Sequence, residues 1–350
     1  MPDAPVRVAL DLMGGDHAPG AVVDGALLVV AEQPGVAVTL VGPRDVATAL
    51  LTERGASDRV GVVHASEVVE MDEDPARAVR AKRDASIRVA ARLVRDGEAD
   101  AVVSAGSTGA VMAAALFTLG RLPGMTRPAI AVVVPAPAGP VVLLDAGANP
   151  DCTADLLTQF ALAGVAYAGA RLGLAAPRVG LLTNGAEAGK GDELRKTAYA
   201  ALADLPVDFV GNVEGGDVAL GGRADVVVTD GFTGNVLLKG LEGAIRMLTG
   251  ALLAAFTADD ERKAAAKALA PAFDEVAARL DPESLGGAVL LGVQGVTVVA
   301  HGSSTPKAVA ASVRVAAQAV REGLLPRTAA ALDTLVAARR VKAGLEVSAG

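Results

Sequence analysis

The chain has 350 residues, 52% of them apolar, with 2% aromatic and no Trp. That is ample material for a core and poor material for stacking on bases or sugars. A net charge of −8 and a pI of about 5.0 argue against general attraction to nucleic acid or anionic lipid. One cysteine, Cys152, excludes an internal disulfide and a cysteine-based metal cluster.

Short Val/Leu runs alternate with helical patterns along the chain. The runs are Val6–Leu10, Val36–Val41, Val60–Val63, Ala101–Val103, Ile130–Val134, Val141–Leu144, Val179–Leu182, Val207–Val210, Val226–Val228 and Val296–Val299. This rhythm predicts an α/β protein with a largely parallel sheet. No fixed-period repeat or low-complexity linker divides it, so 1–350 reads as a single domain. The N-terminus lacks the features of a signal peptide and no long uncharged apolar run follows, which predicts a soluble, cytoplasmic chain.

The informative residues lie where strands end. Five runs pass directly into small or polar loops: DLMGGDHAPG at Asp11–Gly20, SAGSTGA at Ser104–Ala110, DAGANPD at Asp145–Asp151, TNGAEAGKG at Thr183–Gly191 and DGFTGN at Asp230–Asn235. A sixth, AHGSSTP at Ala300–Pro306, offers Thr305 as an N-cap with Pro306 at the first helical position. Singly, each is the tight turn that a βα connection needs; together they mark the carboxyl ends where open α/β sheets bind ligands. In DGFTGN, Gly231 and Gly234 let the backbone approach a guest, and a helix beginning near Asn235 aims free N–H groups at it. There is no G-x-x-x-x-G-K-[ST] loop, and AGSTGA lacks the dinucleotide fingerprint. Inorganic phosphate or a phosphate ester fits better than a nucleotide.

Catalytic candidates are few. His17 and His301 sit in strand-end loops, whereas His64 follows Val60–Val63 without a glycine. Cys152 has no histidine within a few residues to activate it and reads as structural. Lys190 is a lone cation between two glycines at a strand end, and Asn235 offers an amide to an oxyanion. Asp11, Asp145 and Asp230 follow strands and either cap helices or orient neighbouring amides. No acid pair stands at metal-ligand spacing, so no metal and no cofactor are expected.

Eight motifs in order resemble the PlsX-type phosphate acyltransferase family: DLMGGDHAPG, SAGSTGA, RPAI at Arg127–Ile130, LLDAGANPDC, the GxExxKG of Gly185–Gly191, GNVEGGDV at Gly211–Val218, DGFTGNVLLKGLEG and GGAVLLGVQGVTVVAHGSS. The resemblance implies transfer of a fatty acyl group from acyl carrier protein to inorganic phosphate, giving acyl phosphate for phospholipid synthesis. It implies a homodimer of three-layer α/β/α subunits, each two intertwined lobes around one mixed, mainly parallel sheet, like the isocitrate and isopropylmalate dehydrogenases. The family's catalytic lysine and asparagine fall on Lys190 and Asn235. Two motifs depart from the family pattern: the usual Asn of the SAGNTGA loop is Ser107, and N-I-G-E-E is Thr183-Asn184-Gly185-Ala186-Glu187.

Phosphate is already an anionic nucleophile, so positioning and charge control are what the protein must supply. The expected catalytic residues are Lys190, Asn235 and His17. The expected phosphate-binding residues are Gly14, Gly15, Asp16, Gly106, Ser107, Thr108, Gly109, Gly231, Thr233, Gly234 and Ser303. Between about 245 and 285 the rhythm gives way to a helical insert, with Ile245, Leu248, Leu252 and Phe256 on one stripe and Leu269, Phe273, Val276 and Leu280 on another. Pro271 is expected to start the second helix. These stripes pack into a dimer or the core, or, as the family suggests, touch the membrane or the membrane acyltransferase that uses acyl phosphate.

An acidic carrier protein needs a basic patch, and Arg77, Arg80, Lys82, Arg83 and Arg88 are one candidate, with Arg121 and Arg127 another. Rival readings are a phosphotransacetylase-like enzyme using acyl-CoA, a non-enzymatic scaffold, and a dehydrogenase suggested by fold alone.

Overall fold

The structure, a computed structural model, describes residues 4–280 and 282–335. All ten Val/Leu runs become strands: β1 (Val6–Asp11), β2 (Val36–Gly42), β3 (Gly61–His64), β4 (Ala101–Ser104), β5 (Ala129–Val134), β6 (Val141–Leu144), β7 (Arg178–Leu182), β8 (Asp208–Val213), β9 (Val226–Val228) and, following the unforeseen β10 (Ala288–Leu291), β11 (Val296–Val299). Strand β10 escaped notice because a four-residue AVLL run between glycines carries no period of its own. They form one sheet in the order β3-β2-β1-β4-β11-β10-β5-β6-β9-β7-β8. Seven of the ten pairings are parallel, and the three antiparallel ones cluster at β11-β10, β10-β5 and β5-β6. Every residue of β4, β6, β9 and β11 is buried, as β-branched strands covered on both faces should be.

Among the described residues twelve helices complete the named elements: α1 (Gly20–Glu32), α2 (Arg44–Glu53), α3 (Pro75–Ala81), α4 (Ser86–Arg95), α5 (Thr108–Thr118), α6 (Ala154–Leu172), α7 (Glu193–Ala203), α8 (Gly215–Leu220), α9 (Gly231–Phe256), α10 (Asp260–Leu280), α11 (Pro282–Leu285) and α12 (Pro306–Arg321). One face of the sheet shares a continuous apolar core with α1, α2, α6, α7 and α12. The other carries three smaller cores, beneath α3 to α5 at one end, beneath α5 and the start of α9 in the middle, and beneath α8 and α9 at the far end. This is the expected three-layer α/β/α arrangement.

Two helix starts differ from expectation. Helix α9 opens at Gly231, four residues before Asn235, because Asp230 is its N-cap and its Oδ1 accepts the Thr233 N–H at 2.9 Å. Pro271 lies inside α10; the start is fixed instead by Asp259, whose Oδ1 accepts the Arg262 N–H at 2.8 Å. The Phe256 and Phe273 rings meet with centroids 4.8 Å apart, closing α9 against α10. Further apolar residues on the pair stay exposed, Met247 at 72% and Leu253 at 62% among them.

Candidate active site

The antiparallel centre of the sheet decides where the six loops go. Strands β1, β4 and β11 run one way and β6, β9 and β7 the other, so their carboxyl-end loops leave the sheet in opposite directions. Helix α5 links the two sets: its first residue is Thr108, and Met112 and Leu116 share an apolar cluster with Ala146, Ala148 and Leu238.

The first set gathers Gly14, Gly15, Asp16, His17, Gly106, Ser107, Thr108, Gly109 and Ser303. Its base is Asp11, whose Oδ2 accepts the Ser104 hydroxyl at 2.7 Å, while Ser104 Oγ accepts the Gly106 N–H at 3.0 Å. Burial pushes the Asp11 carboxyl above its usual range, against the pull of the Ser104 and Ser86 hydroxyls. A Cβ on Gly14 would lie 2.6 Å from the Gly106 nitrogen, and one on Gly15, at φ +104°, 2.9 Å from the Gly302 oxygen. Those glycines serve loop-to-loop packing. Asp16 donates its N–H to Gly302 O at 2.8 Å, and Ser303 Oγ lies 2.8 Å from His301 Nδ1. His17 and Thr108 stand exposed at the surface of this set.

The second set holds Lys190, Asn235, Gly231, Thr233 and Gly234. Its base is Asp145, fully buried, whose two oxygens accept from the N–H groups of Ile130, Gly147, Ala148 and Asn149 and from Asn149 Nδ2, at 2.7 to 3.1 Å. Burial raises this carboxyl, and the hydrogen bonds from Ala148, Ile130, the Asn149 side chain and Gly147 oppose the rise. Gly231 donates to Asn149 O at 2.7 Å, and a Cβ on Gly234 would overlap the Asp145 carbonyl oxygen. The glycines of DGFTGN therefore seat the 145–149 loop against α9. Above this base Asn235 is exposed, its Nδ2 over Gly147; in the loop after β7 Lys190 is exposed, its aliphatic stem over Gly185.

Sequence reasoning missed one residue of this set, Arg195 in the first turn of α7. It is buried, and its guanidinium binds Asp192 at 2.9 Å, Asp230, and the hydroxyls of Thr233 at 3.0 Å and Thr229 at 3.2 Å. Burial works against the charge of Asp230, yet the Thr233 hydrogen bonds and the Arg195 charge outweigh it and hold that carboxyl below its ordinary range. A usable signal was present: a cation three residues after an N-cap aspartate opposes the helix dipole and needs another reason to be there.

A family model described as fatty acid synthesis protein matches residues 6–327. A phosphate acyltransferase of Desulfitobacterium hafniense is 47% identical over 334 residues, covering 95% of this chain and 99% of the relative. One from Myxococcus xanthus is 50% identical over 307 residues, 87% of each chain. The chain belongs to the phosphate acyltransferase family. It is an enzyme, an acyltransferase, as the sequence resemblance implied. Among solved structures, a phosphotransacetylase from Streptococcus pyogenes superposes with a TM-score of 0.61 at 18% identity, covering 91% of this chain and 94% of that one. A 4-hydroxythreonine-4-phosphate dehydrogenase from Klebsiella pneumoniae gives 0.51 at 14% identity, covering 91% and 99%. These two extend the fold, phosphotransacylase and dehydrogenase-like alike.

Two further features bear on how this acyltransferase works. Cys152 lies beside the second set, half-buried, with Sγ 3.6 Å from Asn149 O. Burial and the charge of Asp145 push its thiol up to about 11, which makes it a poor nucleophile at neutral pH. In the basic patch, Lys82 lies 2.5 Å from Glu73, Arg88 donates to Val79 O at 2.9 Å, and Arg80 stacks on Phe117 at 4.6 Å. Arg77 and Arg83 are exposed. Among the described residues no helix is long and apolar enough to cross a membrane, and no group of three or more His, Cys, Asp or Glu could hold a metal ion.

Proposed function

We propose that this enzyme transfers a fatty acyl group from acyl-[acyl carrier protein] to inorganic phosphate, releasing acyl phosphate for phospholipid synthesis. The observation that supports this reading is that two exposed polar side chains, Lys190 and Asn235, follow the paired strands β7 and β9 and that Arg195 joins the two loops. A phosphate oxygen attacks the thioester carbonyl carbon. Asn235 donates to the oxyanion that forms, and Lys190 balances the added negative charge. The C–S bond then breaks and the carrier's thiolate leaves, taking up a proton. Cys152 has no part in this, since its thiol stays protonated.

In the loop after β4 the N–H groups of Ser107, Thr108 and Gly109 hold the phosphate; those of Gly106 and Thr233, bound to Ser104 Oγ and Asp230 Oδ1, shape their loops. Gly14, Gly15, Asp16 and Ser303 line the same side as Gly106. His17 orients or exchanges a proton with the phosphate. Enzymes of this design need only positioning and electrostatics, because the nucleophile arrives charged.

The active form is a cytoplasmic homodimer. The exposed stripe on α9 and α10, including Leu248 and Leu253, supplies apolar surface for a second copy and a weak contact with the membrane or the acyltransferase that consumes acyl phosphate. Acidic residues on α10, Asp260, Glu261, Asp274 and Glu275, keep any lipid contact from being electrostatic.

The decisive assay incubates the purified protein with phosphate and either acyl-[acyl carrier protein] or acyl-CoA, and follows acyl phosphate. Product from the carrier-bound donor supports the reading. Product from acyl-CoA alone assigns a phosphotransacylase, and none from either donor overturns it.

A further inference from the structure

We propose that Arg195 is a positioning residue that sets the distance between Lys190 and Asn235 by tying two loops that share no strand. The inference rests on the assignment of those two residues to acyl transfer.

Lys190 belongs to the loop between β7 and α7, and Asn235 to the opening turns of α9. Each loop is internally stiff. Within the first, Lys190 donates its N–H to Glu187 O at 3.0 Å, and Gly191 donates to Asn184 Oδ1 at 3.1 Å. Within the second, Asp230 caps α9. Beyond the pairing of β7 with β9, what ties one loop to the other is a buried fork. One guanidinium nitrogen of Arg195 binds Asp192, the residue two after Lys190, at 2.9 Å. The other binds Asp230 and the Thr233 hydroxyl, at 3.0 Å for the latter, two residues before Asn235. The main chain strengthens the Asp192 side alone, since Arg195 N donates to Asp192 Oδ1 at 2.9 Å as the N-cap bond of α7.

Glycine makes room for the fork. Gly191 sits at φ +95°, and a Cβ there would lie 2.5 Å from Arg195 Cβ, so the loop carrying Lys190 rests directly on the arginine. A planar fork with several donors can serve two carboxylates at once, which a lysine ammonium cannot do in the same geometry. With two aspartates against one arginine the charge is consumed inside the protein, and the side chain is 10% exposed. Arg195 therefore shapes the site without meeting the phosphate. Misplacement of reacting groups by an ångström costs about 10²-fold in rate, and the clasp is the feature that prevents it.

The test compares wild type, R195A, N235A and the double variant in steady-state assays, together with amide hydrogen exchange. R195A should lower kcat about 10²-fold with little change in KM for phosphate or acyl donor. The double variant should lose no more than N235A alone, because both act through one group. Exchange should quicken in 184–192 and 231–236 together. Wild-type kcat in R195A, multiplicative losses in the double variant, or faster exchange in only one segment overturns the proposal. If R195A does not fold, R195K answers the question: it neutralises Asp230, leaves Asp192 unbound, and should give an intermediate loss of kcat. A wild-type enzyme that makes no acyl phosphate from any donor counts against the proposed reaction, and the exchange result still decides the clasp.

Discussion

The side-chain nitrogen of Asn235 lies so close above Gly147 that a Cβ on the glycine would come within 2.8 Å of it. Gly147 also holds φ +144°, where only glycine is relaxed. Two loops from neighbouring strands β6 and β9 thus set the asparagine's position. Replacing Asn235 by Ala removes the proposed oxyanion donor and should cost about 10² to 10³ in kcat with the melting temperature unchanged. Gly147→Ala should also depress kcat, by pushing Asn235 aside. Steady-state kinetics and thermal melts measure both, and near-normal turnover in N235A would remove this residue from the mechanism.

The DGFTGN glycines carry a separate prediction, about folding. In the sequence Gly231 and Gly234 read as room for a phosphate; in the structure they are buried, and the space each leaves is filled by the 145–149 loop. Gly234→Ala would drive a methyl into the Asp145 carbonyl, backbone against backbone, with nothing flexible to yield. Overpacking of this kind costs about 3 kcal/mol or more. The variant should be lost to the insoluble fraction or melt far below wild type, whereas Gly240→Ala, with open space around its Cβ, should not.

The sequence carried part of this arrangement and not the rest. Strand positions were legible because Val-rich runs such as Val226–Val228 have no alternative but burial. The direction of the strands was not: nothing in Val141–Leu144 announces that it runs antiparallel to Ile130–Val134, and that pairing sends the loops after β4 and β6 opposite ways. Lys190 and Asn235 stood out through their glycine neighbours. Arg195 did not, because its meaning depends on Asp230, 35 residues later and on another strand end.

Cys152 gives a pH prediction. Its thiol is raised to about 11, first by burial and then by the nearby Asp145 charge. At pH 8 the thiolate fraction should be on the order of 10⁻³, so alkylation by iodoacetamide should run about 10²-fold slower than for an ordinary thiol near 8.5. The rate should rise about tenfold per pH unit until the thiol titrates. Cys152→Ala should retain turnover of the same order as wild type. Rapid alkylation at pH 7, or loss of turnover in this variant, would revive an acyl-enzyme route.

The surface proposed to dock an acyl carrier protein narrows once the bases already engaged are set aside. Lys82 is bound to Glu73 and to Val68 O at 2.7 Å, and Arg88 to Val79 O, so both serve the 65–95 segment itself. Reversing Lys82 would loosen the loop before α3 and confuse folding with docking. Arg77 and Arg83 are exposed on the same stretch, beside the Arg80–Phe117 stack. An acidic partner would gain from exposed charges chiefly through faster encounter, with strong salt dependence. Arg77→Glu with Arg83→Glu should therefore raise KM for acyl-[acyl carrier protein], leave KM for phosphate alone, and flatten the salt dependence of kcat/KM. Unchanged kinetics with the carrier-bound donor would move the docking surface elsewhere, with Arg121 and Arg127 next in line; Arg121 already spends one nitrogen on Thr126 O at 2.6 Å, which leaves Arg127 the stronger candidate of the two.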